Sequence, residues 1–246
     1  RLVGSEMCIR DRANGATGHA LDYDDTHFLF VGHPTASALP TALALGEELE
    51  LSIDNLLLAY MTGVEVSTRI GHILGYSHYN AGFHQTATSG SFGTTIVASK
   101  LLNLSEDQTI NALGLVSTRA SGIKSQFGTM GKPYHAGMAA SNGIEAAKLS
   151  KLGFVSKEDG IECDQGFFQT HGWDKKTPTR AVENLGTDFY DEKLNRVKTV
   201  PYRNNYGYFF TSGPNTWHGM EKKEIKKERR CIQINYVTFE TDWKVK

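Results

Sequence analysis

The run TATSGSFGTTIVASKLL (residues 86–102) consists largely of small side chains and predicts a closely packed helix. Gly90 and Gly93 leave room for close contact with another helix, although each costs about 1 kcal/mol relative to alanine in a helix interior. The Ala, Gly and Ser content of this run and of its neighbours predicts tightly packed, buried helices.

Helical patterns continue on both sides of this run. Ser52 is predicted to cap the helix that follows it, Ser105 and Gln108 form a capping box, and Gly153 closes the last long helix. The further long helices are predicted over 35–50, 52–74, 105–121 and 135–152, with shorter ones over 163–170 and 179–185.

Five long helices and almost no alternating strand pattern predict an all-α core. Residues 1–12 show no helical period and are interpreted as an N-terminal scar, so the helical domain is predicted over 13–200. Residues 201–246 are aromatic, then highly charged, then briefly strand-like, and are interpreted as a divergent tail that is frameshifted or disordered.

The composition excludes several classes of partner. The net charge of −1 gives no electrostatic reason to expect nucleic acid or a membrane surface, and the basic run EKKEIKKERR (221–230) is interpreted as a solvated face or tail. Cys8, Cys163 and Cys231 cannot all pair, which favours a reducing compartment. With neither a signal peptide nor a membrane span in the sequence, a cytoplasmic protein is expected.

Chemically active residues concentrate in three Gly-punctuated segments. The first, NGATGHALDYDDTHFLFVGHP (14–34), is predicted to be loop-like and combines acids with three histidines. The others are AGFHQTATSG (81–90) and GTMGKPYHAGMAASNG (128–143). Acids, imidazoles and a lysine in separate segments predict an acid/base site built from several loops, with a hydrogen-bonded structural cluster as the alternative.

Each candidate has a functional and a structural interpretation. His33 precedes Pro34, which places it near the positive end of the next helix, where an anion could bind. Lys132 lies in a predicted Gly-rich loop and is either exposed or aimed at an anion. Asp24 and Asp25 are interpreted as turn or capping residues. No metal is expected, because no H-x-x-x-H or H-E-x-x-H pair occurs and the acids and histidines share no fixed ligand geometry.

The ordered motifs LDYDDTH, GHPTAS, GFHQTATSG and GKPYHAGMAASNG resemble those of the MmgE/PrpD family over about residues 13–200. Members of that family include 2-methylcitrate dehydratase, cis-aconitate decarboxylase and iminodisuccinate epimerase. The resemblance implies a large all-α domain, a smaller α/β lid domain that this chain lacks, and an active site between the two. It also implies a homodimer without metal or cofactor.

The resemblance also assigns roles to individual residues. Those matching the family's motifs are Asp22 and Thr26 in LDYDDT, His33 in GHP, His84 in GFHQT, Lys132 in GKPYH and Lys198 in VKTVP. Asp22 and His33 would form the proton-transfer pair. Lys132 and His84 would bind substrate carboxylates. Thr26 and Lys198 would help to bind the substrate, although the histidine that follows this lysine in the family is replaced near Arg203.

This set of residues fits general acid/base catalysis on a small di- or tricarboxylic acid. Dehydration of a 2-methylcitrate-like hydroxy acid is the first expectation, with cis-aconitate-type decarboxylation and iminodisuccinate-type epimerisation as alternatives. Outside enzymology, the chain would be an inactive truncated fragment or a helical dimerisation module. A fold places a site without fixing its reaction, so the sequence alone does not separate these alternatives.

Overall fold

The computed structural model describes residues 5–172, with side chains from residue 9 onward, and the backbone of three short strands further along the chain. The chain divides into two units, residues 1–179 and 180–246. The helices of the first unit are α1 (Ser5–Gly18), α2 (Pro34–Glu48), α3 (Ile53–Asn80), α4 (Gln85–Leu101), α5 (Glu106–Val116), α6 (Gly131–Lys151) and α7 (Phe167–Thr170). The all-α prediction is confirmed for this unit.

Helix α4 lies at the centre of the first unit and packs against α2, α3, α5 and α6. A Cβ atom added to Gly93 would lie 1.8 Å from Ser67 Oγ and 2.4 Å from the carbonyl oxygen of Gly63, so α3 and α4 approach almost backbone to backbone. A Cβ atom on Gly90 would lie 2.9 Å from Ser37 Oγ. The predicted close packing around both α4 glycines is confirmed.

The predicted caps agree with the structure, but several predicted helix boundaries do not. Ser52 accepts a hydrogen bond from the Asn55 backbone, and the capping box at the start of α5 is complete. Helix α6 begins at Gly131, not at residue 135, and Thr129 Oγ1 accepts a hydrogen bond from the Gly131 backbone at this point. Lys132 therefore lies in the first helical turn and not in a loop.

The N-terminal segment also differs from its prediction. Residues 5–12 are helical and form the first part of α1, although their sequence lacks a helical period. The Arg12 side chain donates a hydrogen bond to Ser141 Oγ on α6 at 3.0 Å, so tertiary contacts supply what local periodicity does not. Helix α1 extends to Gly18, so only the part of segment 14–34 beyond it is loop. The three predicted domain limits themselves stay predictions.

Helix α3 continues past the predicted end at residue 74 through a kink at Gly75. Gly75 has φ 60° and ψ −161°, a conformation in which side-chain-bearing residues are strained. The kink frees the Gly75 carbonyl group from the helix, and Gln85 Nε2 donates a hydrogen bond to it at 2.9 Å. Within residues 5–172, no helix is long and apolar enough to cross a membrane.

The second unit contains an antiparallel sheet of three strands in the order β2-β1-β3. The strands are β1 (Thr187–Tyr190), β2 (Arg196–Val200) and β3 (Trp217–Gly219), with Asp188 opposite Thr199 on one side and Gly219 on the other. These strands were not predicted, because segments of three to five residues are too short for an alternating pattern to stand out. The predicted helix over 179–185 lies outside the described residues, as does the predicted tail apart from β3.

Candidate active site

The loop from His19 to His33 joins α1 to α2 and forms one wall of the site. It is closed on itself by two backbone hydrogen bonds, from His27 to the Gly32 carbonyl group at 3.0 Å and from Val31 to the His27 carbonyl group at 2.7 Å. Asp22 has φ 58°, a left-handed conformation that aspartate tolerates better than most residues. Backbone strain of this kind is common at functional sites.

Two of the predicted histidines occupy equivalent positions at the starts of helices. His33 is the N-cap residue of α2 and His84 is the N-cap residue of α4. Thr86 Oγ1 accepts a hydrogen bond from the His33 backbone at 3.0 Å, which ties the two helix ends together. Asp25 accepts a hydrogen bond from the Thr35 backbone in the first turn of α2, so its predicted capping role is confirmed.

Lys132 reaches across the site from the first turn of α6. Its Nζ atom lies 2.5 Å from Asp22 Oδ1, and the lysine side chain is only 18% exposed. A lysine at the positive end of a helix is electrostatically unfavourable, and the Asp22 carboxylate offsets this. The hydrogen bond from Lys132 is the main reason that the pKa of Asp22 is lowered.

A cleft of about 480 Å³ opens between these elements. Five of the six predicted site residues line it, namely Asp22, Thr26, His33, His84 and Lys132. Aromatic side chains, including Tyr76, Tyr79 and Phe127, provide an apolar part of the lining. The sixth, Lys198, lies in strand β2 of the second unit, and its side chain is outside the described residues.

The structure adds His19 and Asp24, which are not among the predicted site residues. His19 Nδ1 donates a hydrogen bond to Asp24 Oδ2 at 2.8 Å, and the same oxygen lies 3.4 Å from His33 Nδ1. The turn or capping role predicted for Asp24 is therefore replaced by a pairing with two histidines. The only signal in the sequence was the alternation of Asp22 and Asp24 around Tyr23, which is exposed.

Burial lowers the pKa of His33 and of His84 and so favours their uncharged forms. Desolvation lowers the pKa of His33, although Asp24 opposes this shift. Burial and the nearby His135 lower the pKa of His84 to about 2, so this residue binds an anion only as a neutral hydrogen-bonding group. Its Nδ1 atom lies 3.0 Å from His135 Nδ1, so one ring donates to the other. Burial raises the pKa of Asp24, but the His19 hydrogen bond and both neighbouring imidazoles outweigh this and lower it.

A metal ion must be considered, because His19, Asp22, Asp24 and His33 each offer an oxygen or nitrogen atom, all within 4.8 Å of one another. The prediction that these acids and histidines share no fixed geometry is wrong, since the loop folds them together. However, the Lys132 ammonium group already lies against Asp22 Oδ1 at 2.5 Å. A metal ion bound there would face this positive charge. That the active protein contains no metal ion stays a prediction.

The arrangement can bind an anion and move a proton. Lys132 supplies the positive charge, and neutral His33 supplies a nitrogen atom that accepts a proton at neutral pH. Asp22 lies between them, with its Oδ1 atom 3.7 Å from His33 Nε2. These are the requirements for proton transfer to or from a carbon atom next to a carboxylate.

Comparison with known proteins gives one family and several relatives. The family model described as the MmgE/PrpD N-terminal domain matches residues 12–179. Cis-aconitate decarboxylase of Homo sapiens is 35% identical over 159 residues, which are 63% of this chain and 33% of that protein. Cis-aconitate decarboxylase of Aspergillus terreus is 33% identical over 180 residues, 69% of this chain and 37% of that protein. The chain spans about a third of the length of these relatives.

Proposed function

Because this chain belongs to the MmgE/PrpD family, we propose that it supplies the acid/base and anion-binding residues of a lyase that acts on a small tricarboxylic acid. The observation that carries the proposal is the group formed by Lys132, Asp22 and His33 in one cleft. The cation comes from α6, and the carboxylate and the imidazole come from the loop between α1 and α2, so two distant parts of the chain bring these three groups together at a partly exposed surface.

The substrate is an anion with more than one carboxylate group. One carboxylate pairs with Lys132, which exchanges part of its contact with Asp22 for the ligand. His84 and Thr26, both in the cleft lining, contribute neutral hydrogen bonds to the substrate. Lys198 stays a proposed substrate-binding residue on the strength of the motif resemblance alone.

The relatives favour decarboxylation of a cis-aconitate-like acid over the dehydration ranked first from the sequence. In such a reaction the bond to one carboxylate breaks, carbon dioxide leaves, and the electron pair spreads over the adjacent double bond. A proton is then added at the far end of that system. His33 is the proposed proton carrier, since a bound polyanion would favour its protonated form and Asp22 would stabilise the resulting imidazolium.

Dehydration and epimerisation remain alternatives within the same chemistry, because each also moves a proton next to a carboxylate. A fragment without activity, or a helical dimerisation module, is the alternative outside enzymology. Both the homodimer and the absence of a nucleic-acid or membrane partner stay predictions, and light scattering of the purified chain tests the first of them.

The test combines ligand binding with product analysis. The purified chain is melted with and without millimolar cis-aconitate, citrate or 2-methylcitrate at fixed ionic strength, and each acid is then incubated with it in D₂O and followed by NMR. We expect cis-aconitate to raise the melting temperature by mass action and to yield carbon dioxide and a singly deuterated product. His33→Gln should keep the binding shift and lose the product.

Other products redirect or overturn the proposal. Addition of water to the acid, or its elimination, without loss of carbon dioxide would assign a hydro-lyase. Deuterium exchange with inversion of configuration would assign an epimerase. A melting shift without turnover would overturn lyase activity for this chain and leave an anion-binding fragment. With no shift and no turnover, the anion site itself would be rejected.

A further inference from the structure

We infer that Asp24, held in place by His19, is a positioning residue that keeps His33 protonated on Nδ1 and leaves His33 Nε2 free to exchange a proton with the substrate. The inference rests on the proposed function for its catalytic meaning. Its structural content, which is the position of the proton on the neutral His33 ring, is independent of the proposed function.

The His19 side chain is fully buried, and the Asp24 side chain is 9% exposed. Asp24 Oδ2 accepts the 2.8 Å hydrogen bond from His19 Nδ1 and also lies 3.4 Å from His33 Nδ1. The other oxygen, Asp24 Oδ1, is buried without a hydrogen bond among the described residues. Within that part of the chain, His19 is therefore the side chain that orients this carboxylate by a hydrogen bond.

The environment of His33 Nδ1 selects its protonated form. This atom is buried and makes no hydrogen bond among the described residues, and Asp24 Oδ2 is the carboxylate oxygen beside it. A nitrogen lone pair pointing at a carboxylate would be repelled, whereas an N–H group would be attracted. The proton of the neutral ring is therefore favoured on Nδ1.

The competing carboxylate has a weaker effect. Asp22 Oδ1 lies 3.7 Å from His33 Nε2, which is farther than the 3.4 Å between Asp24 Oδ2 and His33 Nδ1. The Asp22 side chain is 56% exposed, so water screens it, and the Lys132 ammonium group neutralises it at 2.5 Å. Among the described residues, Asp24 is paired with His19 and His33 and with no lysine or arginine, and its side chain is shielded from water. The electrostatic field of Asp24 at the His33 ring therefore outweighs that of Asp22, and His33 Nε2 keeps its lone pair.

The tautomer decides whether His33 can act. A neutral imidazole accepts a proton only on its unprotonated nitrogen, so the substrate must meet Nε2 and not Nδ1. Once Nε2 is protonated, Asp24 stabilises the imidazolium through Nδ1–H. Holding the carboxylate with His19 fixes the ring in one state before the substrate arrives, which removes a reorganisation step from the reaction.

The test is a two-bond ¹H–¹⁵N NMR spectrum of the whole chain labelled at its histidine nitrogens, recorded at neutral pH without substrate. His33→Gln identifies the His33 signals by their loss. We expect a protonated Nδ1 and an unprotonated Nε2 for His33 in the natural chain. Asp24→Asn, whose amide can donate to Nδ1, should move the His33 proton to Nε2, and the matched control Asp25→Asn should leave it on Nδ1.

His19 has its own pair of variants. His19→Asn places an N–H donor near the position of Nδ1 and should preserve the His33 tautomer, whereas His19→Ala should leave a mixture of both tautomers. A natural chain with His33 protonated on Nε2 overturns the inference, even if every variant fails to fold. An unchanged tautomer in folded Asp24→Asn also overturns it. Because no substrate is present, these outcomes are independent of the lyase assay.

Discussion

Lys132 and Asp22 are 110 residues apart in the chain, and their side chains meet with Nζ and Oδ1 separated by 2.5 Å. The pair connects the loop after α1 to the first turn of α6. Because the lysine stands at the positive end of its own helix, it is held there by the carboxylate across the cleft and not by local structure. Its ammonium group is the positive charge that a substrate carboxylate would meet.

Replacing this lysine should remove anion binding. In Lys132→Met the cleft keeps its volume but loses its cation, so we expect the rise in melting temperature caused by cis-aconitate to disappear. Lys124→Met is the matched control, since Lys124 donates to the Tyr79 carbonyl group at 3.0 Å and does not line the cleft. An equal loss of the ligand shift in both variants would show that Lys132 has no special part in binding.

Chelation should leave the protein unchanged. The Lys132 ammonium group occupies one side of Asp22, so a divalent cation among the neighbouring acids and histidines would be repelled. We expect millimolar EDTA to change neither the melting temperature nor any turnover of the purified chain, and elemental analysis to find no bound metal in stoichiometric amount. A drop in the melting temperature that zinc reverses would instead assign the cluster of His19, Asp22, Asp24 and His33 as a metal site.

The carboxyl group of Asp11 should destabilise the fold at neutral pH. Burial raises its pKa from 3.8 to about 6, and its Oδ2 atom is buried without a hydrogen bond within the described part of the chain. The folded state therefore favours the neutral acid, and stability falls as the pH rises from about 4 to above 6. Asp11→Asn should stabilise the protein by about 2 kcal/mol at pH 7, and this gain should vanish at pH 4.

Urea unfolding at the two pH values measures the Asp11 effect. Asp54→Asn is the control, because Asp54 is exposed in the first turn of α3 and its replacement should be neutral or slightly destabilising. If Asp11→Asn were no more stable than the natural chain at pH 7, the prediction would be wrong, and the Asp11 carboxylate would be hydrogen-bonded or hydrated in the folded protein.

His78 should make the fold sensitive to acid. Its Nδ1 atom donates to the His171 carbonyl group at 2.6 Å, and its Nε2 atom lies 2.8 Å from Thr88 Oγ1. Burial lowers the pKa of His78 to about 4, so the stability it contributes is complete above pH 6.5 and is lost as the pH falls towards 4. Unfolding curves at pH 7 and 4.5 should show a smaller loss of unfolding free energy in His78→Gln than in the natural chain. An equal loss in both would show that His78 is not a cause of the acid sensitivity.

The kink in α3 should require glycine. A Cβ atom on Gly75 would meet no atom within 4 Å, but the backbone φ of 60° strains any other residue. Gly75→Ala should therefore destabilise the chain by about 1–3 kcal/mol. Gly18→Ala is the matched control, because Gly18 also has open space around its Cβ position and lacks the positive φ. Equal melting temperatures for the two variants would mean that the kink adapts at no cost.

Much of the first unit could be predicted from local patterns. Three features follow from contacts within a few residues and are therefore predictable from the sequence: the cap at Ser52, the capping box at Ser105 and Gln108, and the small-residue helix between them. The start of α6 was missed because no capping side chain marks it, since the N-cap residue is Met130 and makes no side-chain cap hydrogen bond. Helix α1 was missed because its contacts with α6 are more than a hundred residues away.

The amino-acid sequence by itself determined the helical class, most helix limits and the residue types that carry the proposed chemistry, because these follow from periodicity, capping and ordered motifs. The tertiary structure alone decided that Asp24 and His19 join the site. It also decided that His84 stays uncharged, because the ring is buried and lies next to His135. Burial and distances of a few ångströms between distant segments set charge state and hydrogen-bond partners. No local pattern encodes those quantities, since they arise only when the helices pack.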